Sequence, residues 1–277
     1  NRTNPGLDDK ILTSWNALMI TAFAKGYRVT GDVRYLDCAK NCISFIENNL
    51  FVNGKLCRTF KNGKAKIDGY LEDYSYLANA LLDVFEILPN SKYLDLALRL
   101  GNHLIDHFWD ENAKSFFMTS DTHESLIVRP KSNYDLSLPS GNSVSCMVML
   151  RLFHLTQEQK FLEISTKIME SQAQMAAENP FGFGFLLNTI FMYLQKPLEI
   201  TMLNDSNKEI ANYLEKSFLP ESIFLSINNS VQLDNLSKYP FFAGKNFDSE
   251  KTTVFVCKDF TCSLPLQNIS EIKNAVE

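Results

Sequence analysis

Apolar residues recur at intervals of three and four along most of the first two thirds of the chain. The clearest runs cover residues 36–50 and 94–108, and this spacing places the apolar side chains on one face of an amphipathic helix. Five further runs with the same spacing cover residues 12–29, 72–88, 142–155, the stretch that starts at 161, and 182–194. The pattern predicts seven helices and a mainly α protein.

A short motif repeats along this helical part. Residues 35–39 (YLDCA) return as residues 93–97 (YLDLA) and, more weakly, as residues 161–165 (FLEIS). Each copy opens a predicted helix that follows another predicted helix after a short connection. The repeating unit is therefore a helical hairpin, present about three times.

The connections between hairpins are much longer than those within them, and cover residues 51–71 and 109–139. Loops of more than about 12–15 residues inside a compact domain are usually functional. If the hairpins stack, their first helices run parallel and the long loops gather at the N-terminal ends of these helices. We call these ends the helix mouths and predict the functional site there.

The pattern changes at about residue 197. Alternating or continuous apolar runs predict strands over residues 198–203, 222–227 and 252–257, and a helix over residues 206–218. Residues 228–248 are rich in Asn and Ser and predict a loop. We therefore predict a helical domain over residues 1–196 and a small α/β subdomain over residues 197–277.

Charge and hydropathy narrow the class of partner. The 27 Lys and Arg residues face 32 Asp and Glu residues, a net charge of −5, and no long basic block occurs, so a nucleic acid or an anionic membrane is not an expected partner. No apolar run approaches the roughly 18 residues of a membrane span, and no signal peptide is visible. A small molecule or a protein is the expected partner. Because the chain begins at Asn1 without methionine, we also expect that its true N-terminus is missing.

Six cysteines in 277 residues are too few for a disulfide scaffold and fit no zinc signature. Four of them, Cys38, Cys42, Cys57 and Cys146, are expected to be buried reduced thiols of a cytoplasmic protein. His103 and His107 lie four apart on a predicted outer helix without an acidic partner motif, so we expect packed or surface histidines. No metal or cofactor is predicted.

The first helix mouth carries Trp15 and Asn16. An aromatic ring beside an amide suits stacking on, and hydrogen bonding to, a sugar-like ligand, so both are candidate substrate-binding residues. The alternative for Trp15 is packing in the core. Thr13 and Ser14 are explained as caps of free backbone N–H groups.

The second mouth holds three carboxylates within six residues, Asp68, Glu72 and Asp73, next to Tyr74. One aspartate would satisfy a helix end, whereas glycoside chemistry needs two carboxylates with different pKa values. We predict Glu72, Asp73 and Asp68 as catalytic candidates and Tyr74 as substrate-binding. The alternative is a set of solvated helix caps.

The third mouth contains Arg129, Ser140, Gly141 and Asn142. Ser140 could cap the helix while Gly141 lets a ligand approach the backbone N–H groups. Arg129, Ser140 and Asn142 are therefore candidate substrate-binding residues. No Gly-x-Ser-x-Gly pattern is present, which argues against a serine hydrolase.

Five collinear segments carry a resemblance to a known family. They are residues 5–16 (PGLDDKILTSWN), 71–74 (LEDY), 134–135 (YD), 139–143 (PSGNS), and the pair Cys257 and Cys262. With these segments the chain resembles the C-terminal part of the YyaL-like, or spermatogenesis-associated, thioredoxin-domain family.

The resemblance implies a fold and a partner. Members carry a thioredoxin-like domain followed by an (α/α)6 toroid similar to six-hairpin glycosidases and N-acylglucosamine 2-epimerases. This chain has no thioredoxin-like segment, only about seven of the twelve helices of such a ring, and not the His- and Glu-containing motif of its first half. We therefore expect a partial toroid that packs on the missing half of the ring or on a thioredoxin-like domain.

The resemblance also gives Cys257 and Cys262 a context, because they are similar to a terminal cysteine pair of the family. They could pair with each other or exchange disulfides with a thioredoxin-like partner. Two functions follow. The first is a carbohydrate-active or sugar-binding protein with an acidic pocket at the helix mouths, and the second is a non-catalytic scaffold that docks a thioredoxin-like domain, with a redox role.

Overall fold

The computed structural model describes residues 5–124, 127–220 and 222–276. Its helical part contains seven α-helices, each within a few residues of its predicted position. They are α1 (Thr13–Thr30), α2 (Val33–Asn49), α3 (Leu71–Ile87), α4 (Ser91–Phe108), α5 (Gly141–Thr156), α6 (Gln159–Glu178) and α7 (Gly184–Gln195). The predicted helical hairpins are confirmed as α1/α2, α3/α4 and α5/α6.

The first helices of the hairpins pack side by side, α1 on α3, α3 on α5, and α5 on α7. The second helices, α2, α4 and α6, pack on the outside of their own partners. Helix α3 is buried along almost its whole length because it lies between α1, α4 and α5, whereas α2 buries only Ala39, Ile43 and Ile46. This is the arrangement of inner and outer helices expected for part of an (α/α) toroid.

The long connections between hairpins form small antiparallel sheets. Strand β1 (Ile11–Leu12) pairs with β3 (Lys55–Lys61), which also pairs with β2 (Phe51–Val52) and β4 (Lys64–Asp68). Both Asn-Gly pairs in this region have positive φ, with 50° at Asn53 and 52° at Asn62, as two-residue hairpin turns require. The second connection contains β5 (Trp109–Asp110) and β6 (Ser115–Phe116).

The C-terminal part is an α/β layer, as predicted. Strands β7 (Leu198–Leu203), β8 (Ser222–Ile227), β9 (Thr253–Lys258) and β10 (Thr261–Cys262) form one sheet in the order β10-β9-β7-β8, and α8 (Lys208–Lys216) and α10 (Ile269–Val276) accompany it. Only the β7–β8 pair is parallel. The loop predicted over residues 228–248 is wrong in part, because it contains α9 (Ser230–Leu236) and a 3-10 turn, Pro240–Phe242.

One apolar core joins the helices to one face of this sheet. Leu225 of β8 and Phe242 are buried in the same cluster as Phe85 of α3, and the Phe85 and Phe242 rings meet edge to face. The other face of the sheet packs with α8 and α10 in a separate cluster. The division of the chain at residues 196 and 197 stays a prediction.

The cysteines divide into bonded and free groups. Cys257 and Cys262 form a disulfide between paired strands β9 and β10. Cys57 and Cys146 are buried thiols, as predicted, and Cys42 is half-buried. The prediction is wrong for Cys38, which lies on the solvent side of α2 and is exposed. Within the described residues, no helix has the length and apolar character needed to cross a bilayer.

Candidate functional site

The mouth of α3 is organised by the buried carboxylate of Asp73. Its Oδ1 accepts a hydrogen bond from the backbone N–H of Ser14 at 3.0 Å, and its Oδ2 accepts one from the N–H of Tyr70 at 2.9 Å. Asp73 thus caps the first turns of both α1 and α3, and it is fully buried. The prediction that Thr13 and Ser14 cap α1 is wrong. Both lie within the first turn of α1, and Asp73 of the neighbouring helix accepts the N–H of Ser14 instead.

Burial raises the pKa of Asp73 to about 6, against the opposing effect of the Arg58 guanidinium and the two backbone N–H groups. Burial alone would lower the pKa of Arg58, but the carboxylates of Asp73 and Glu72 outweigh it and raise that pKa. The Asp73 carboxylate accepts every hydrogen bond it makes, which is the pattern of the ionised form. Asp73 is therefore a charged positioning group at neutral pH and has no contact with solvent.

Arg58 of β3 connects the two acidic residues. Its Nη1 lies 2.8 Å from Oε1 of Glu72 and 3.1 Å from Oδ2 of Asp73, and its guanidinium lies over the Tyr70 ring at 4.5 Å from the ring centre. Glu72 differs from Asp73 because 34% of its side chain is exposed. The pair therefore presents one accessible carboxylate, which is held by a guanidinium that itself lies over an aromatic ring.

Glu72 lies on a cavity of about 210 Å³ between the mouths of α3 and α5, which we call the mouth cavity. Its lining residues are Tyr70, Leu71, Glu72, Tyr76, Met118, Ser132, Tyr134, Leu136, Ser137, Leu138, Pro139, Ser140 and Gly141. Three tyrosines and one carboxylate thus share a recess with the N-cap of α5. The sequence-predicted residues that the structure brings together here are Glu72 and Ser140, with Asp73 buried behind them.

A second buried aspartate, Asp135, organises the other side of the mouth cavity. Its Oδ1 accepts the N–H of Ser140 at 2.7 Å, and its Oδ2 accepts the N–H of Phe185 at 2.8 Å and of Leu186 at 3.3 Å. Asp135 therefore joins the mouths of α5 and α7 as Asp73 joins those of α1 and α3. Ser140 caps α5, as expected, since its Oγ accepts the N–H of Ser143.

Asn142 and Arg129 were predicted to bind substrate at the third helix mouth, but neither lines the mouth cavity. Asn142 is fully buried, and its amide exchanges hydrogen bonds with both backbone groups of Phe116 and donates to the carbonyl of Ser132. Arg129 donates to the backbone carbonyls of His107 and Thr119. Their hydrogen bonds hold the long connection before α5 in place, which gives both residues a structural role.

Trp15 and Asn16 lie at a different cavity, of about 380 Å³ between α1 and α2. Trp15 is 61% exposed, so it does not pack in the core. Asn16 donates to the carbonyl of Leu12 and accepts from the thiol of Cys42, which occupies both ends of its amide. The residues predicted to line one shared pocket are therefore divided between two cavities.

Asp68 and Tyr74 also lie outside the mouth cavity. Asp68 ends strand β4, rather than beginning a helix, and its side chain is 43% exposed near Lys55. Tyr74 is buried, accepts the N–H of Leu56 and stacks on His103. Burial lowers the pKa of His103 to about 4. Within the part of the chain that the structure describes, no three His, Cys, Asp or Glu side chains are grouped so as to hold a metal ion.

Comparison with known proteins shows that this chain matches a part of larger proteins. No protein-family model matches it. Human spermatogenesis-associated protein 20 is 25% identical over 288 residues, which are 99% of this chain and 37% of the human protein. An uncharacterized protein of Caenorhabditis elegans is 26% identical over 284 residues, 98% of this chain and 38% of that protein.

This chain is similar to spermatogenesis-associated protein 20 over nearly its whole length. The resemblance stated from the sequence segments is confirmed. The chain spans a little over a third of the length of the curated relatives it matches.

Solved structures identify the fold of this chain. A family 76 glycoside hydrolase from a bovine Bacteroides thetaiotaomicron strain has a TM-score of 0.54 and 16% identity over 76% of this chain and 46% of that one. Cellobiose 2-epimerase from Spirochaeta thermophila has a TM-score of 0.50 and 15% identity over 59% of this chain and 43% of that one. The predicted fold, a mainly α partial toroid of helical hairpins like that of six-hairpin glycosidases, with a small sheet appendage, is confirmed.

The predicted site residues did not include Arg58, the tyrosines of the mouth cavity or Asp135. Arg58 is the most instructive of these. Arg58 lies in a strand that mixes polar and apolar residues at buried and half-buried positions, so its charge fits an ordinary surface strand. The only available signal was the pair of Asn-Gly turns at 53–54 and 62–63, which predicts that the strand returns toward α3. The two turns predict the β-hairpin, but they do not predict which of its residues lies beside the start of α3.

Proposed function

We propose that this chain contributes a sugar-binding site to a carbohydrate-active toroid, with the ligand in the mouth cavity. The observation that carries the proposal is the accessible Glu72 carboxylate, which Arg58 holds within a recess lined by Tyr70, Tyr76 and Tyr134. Tyrosine faces pack against the C–H groups of a sugar ring while carboxylate and guanidinium groups bond to its hydroxyls. A small number of polar groups that point into an aromatic recess is typical of a small-molecule site.

Glu72 is the group that we assign to contact with the ligand. Glu72 and Asp73 share Nη1 of Arg58, but only Glu72 has solvent exposure. Asp73 acts through Arg58 as a positioning residue, because a fully buried carboxylate cannot reach a ligand. Hydrolysis of a glycoside uses two carboxylates on either side of the bond, so a hydrolytic reaction would require a second carboxylate besides Asp73.

The class of ligand is supported by the proteins that share the fold. The two structural neighbours described above are a glycoside hydrolase and a cellobiose 2-epimerase. Both act on sugars, and both have the stacked helical hairpins seen here. Because the chain spans only part of its relatives, the activity of the whole protein is part of the proposal.

The test is the binding of neutral mono- and disaccharides, measured by isothermal titration calorimetry with wild type and Glu72→Gln. We expect at least one sugar to bind wild type, and Glu72→Gln to weaken it about tenfold because a charge-assisted hydrogen bond becomes a neutral one. Glu163→Gln, on the exposed face of outer helix α6, is the matched control and should bind as wild type. A panel that produces no binding, or equal affinities for Glu72→Gln and wild type, contradicts the proposal.

A second candidate function, docking of a thioredoxin-like domain with disulfide exchange, is favoured by the disulfide itself. Cys257 is 1% exposed on an inner strand, whereas Cys262 is exposed on the edge strand β10. A partner thiolate would attack Cys262 and release Cys257 as a thiolate, and a second partner thiol would then displace Cys262. The partner would be oxidised to a disulfide as this chain is reduced to a dithiol.

A thioredoxin-like domain that retains only the attacking cysteine of its Cys-x-x-Cys motif tests this candidate, because it traps the mixed disulfide. We expect a covalent complex with wild type, detected by mass spectrometry, and none with Cys262→Ser. Cys38→Ser is the matched control, since Cys38 is an exposed free thiol. An equal yield from Cys262→Ser would show that capture does not proceed through this pair.

A further inference from the structure

A cavity larger than the mouth cavity lies among the inner helices and extends toward the C-terminal ends of α1 and α3. It measures about 560 Å³, and we call it the inner chamber. Helices α1, α3, α5 and α7 all line it, together with residues 218–220, which connect α8 to β8 in the α/β layer. Tyr76 and Pro139 line both cavities and are hydrogen bonded to each other, so their contact separates the two.

The acidic side chains of the inner chamber are satisfied by the protein. Oδ1 of Asp83 accepts from Arg151 at 2.8 Å, and its Oδ2 accepts from Thr21 at 2.7 Å and from Asn79 at 3.2 Å. Oε1 of Glu86 accepts from Arg151 at 2.6 Å. Arg151 is buried and bound to both carboxylates. These acids therefore do not offer an unpaired negative charge to a ligand.

Two basic side chains of the chamber, Lys25 and Arg28, retain N–H groups that could bind a ligand. Arg28 employs a single nitrogen, Nη2, for Oε2 of Glu86 at 3.3 Å and for the carbonyl of Phe224 at 3.2 Å. A guanidinium has five N–H groups on three nitrogens, so the N–H groups on Nε and Nη1 have no hydrogen-bond partner among the residues that the structure describes. Lys25 lies three residues earlier on the same face of α1, and it forms no ion pair with any residue that the structure describes.

The charges and the surface of the chamber together select a class of ligand. Three cations, Lys25, Arg28 and Arg151, line it against two carboxylates, Asp83 and Glu86, which leaves one positive charge in excess. The remaining wall is largely apolar. Its apolar members include Leu18, Met147, Phe185, Phe191, Met192 and Phe218. Its volume falls within the range of pockets for small organic ligands.

We propose that the inner chamber is a second binding site, for an amphipathic anion with a carboxylate or phosphate group and a short apolar chain. The anionic group pairs with Lys25 and the free N–H groups of Arg28, and the chain packs against Met147, Phe185 and Phe191. The site differs from the mouth cavity in its place, its charge and its ligand. Its occupation does not depend on sugar binding at Glu72.

Three probes with the same alkyl chain test the proposal: octanoate, octyl phosphate and neutral 1-octanol. Binding to the wild-type chain is measured by isothermal titration calorimetry at low ionic strength. We expect at least one of the two anions to bind about tenfold more tightly than octanol, the scale of one favourable charge pair in a partly desolvated site. The anion that binds more tightly identifies the head group as carboxylate or phosphate.

Charge-neutral variants locate the site. Lys25→Gln removes an exposed charge without a partner among the described residues, and it should weaken the bound anion about tenfold while keeping the wild-type melting temperature. Lys64→Gln, on an exposed strand outside the chamber, should leave the affinity unchanged. The proposal is overturned if neither anion binds wild type, if octanol binds as tightly as the anions, or if Lys25→Gln binds as wild type does.

Discussion

Asp73 shows how one side chain sets the geometry of a helix mouth. It accepts hydrogen bonds from the backbone of two neighbouring helices and from Arg58, and it does so from a fully buried position. The orientation of Glu72 depends on this group, because Glu72 and Asp73 share one guanidinium nitrogen. A change at Asp73 should therefore alter both stability and the mouth cavity.

Asp73→Asn should lower the free energy of unfolding by about 1–3 kcal/mol, because the amide has one oxygen and turns an N–H₂ group toward an N–H donor. Urea unfolding monitored by circular dichroism measures the loss. Asp37→Asn, which breaks an exposed pair with Lys40 on α2, is the control and should leave the free energy of unfolding almost unchanged. An equally small loss for Asp73→Asn would show that its hydrogen bonds contribute little.

The pH dependence of stability gives a separate prediction for the same residue. Because burial raises the folded-state pKa of Asp73 from 3.8 to about 6, the folded chain binds this proton more tightly than the unfolded chain does. The contribution of Asp73 to the free energy of unfolding is therefore largest below 3.8 and falls as pH rises through this window. The stability difference between wild type and Asp73→Asn should shrink between about pH 4 and pH 7. Parallel pH profiles would show that the carboxyl stays ionised throughout.

Single residues of the site could be predicted only where their role is local. Ser140 caps its own helix, and a Ser-Gly pair before an apolar run indicates that role. The contrast is Arg58, whose partners Glu72 and Asp73 lie 14 and 15 residues away in another element. The contact of Arg58 with these two carboxylates depends on how β3 packs against α3, and no local sequence pattern determines that packing.

At the scale of elements, the close approach of α3 and α5 determines the shape of the mouth cavity. Gly141, the first residue of α5, lies against α3, and a Cβ atom there would come within 2.7 Å of Cγ of Leu71 and 3.3 Å of the backbone nitrogen of Glu72. Gly184, the first residue of α7, has no atom within 4 Å of such a Cβ. Two glycines at equivalent helix positions therefore differ only in their surroundings.

Gly141→Ala should reduce the free energy of unfolding by about 1–3 kcal/mol, the usual cost of overpacking, and weaken any ligand of the mouth cavity. Gly184→Ala should be neutral or slightly stabilising, because alanine favours the helix and meets no obstacle. Thermal and chemical unfolding of the two variants in parallel measures the difference. Equal stabilities would indicate that α5 can move away from α3 at little cost.

An element could be predicted from the sequence when its apolar residues recur at a regular spacing over many positions. The long amphipathic helices and the strands at 198–203 and 222–227 follow from repeated apolar spacing. Helix α9 was missed because Asn and Ser usually indicate loops, although Asn229 serves here as an N-cap that accepts the N–H of Gln232. A short helix with a polar start has too few periodic positions to be recognised.

At the scale of the whole molecule, the two outermost inner helices leave apolar surface open. Trp15, Met19 and Val29 are exposed on α1, and Phe191 and Leu194 are exposed on α7. Exposed apolar stripes of this kind mark contact surfaces. The missing half of the ring, expected from the sequence, stays a prediction, and these two helices are the faces that it would cover.

The isolated chain should therefore associate with itself as its concentration rises, as measured by sedimentation velocity. Met19→Glu places a charge in the α1 stripe and should shift the chain toward the monomer. Leu264→Glu is the control, since Leu264 is 84% exposed in the α/β layer. A chain that stays monomeric at high concentration, or an equal effect of both variants, would exclude this surface as the contact.

The shared core predicts that the helical part does not fold alone. A fragment of residues 1–196 loses Leu225 and Phe242, which pack in the core with Phe85, so it should unfold without cooperativity and bind a hydrophobic dye. The control is a chain that ends at residue 268, which lacks only α10 on the far face of the sheet. It should keep a cooperative transition. A cooperative transition in the shorter fragment would show that the helices form an independent core.

The position of Phe242 in that core also has a consequence for biosynthesis. During translation the helices of residues 13–195 leave the ribosome well before residues 225–242 do, and domains generally fold as units while the chain is being made. The apolar face that later receives Phe242 must therefore stay open during that interval. Nascent chains should therefore need chaperone protection until residue 242 has emerged.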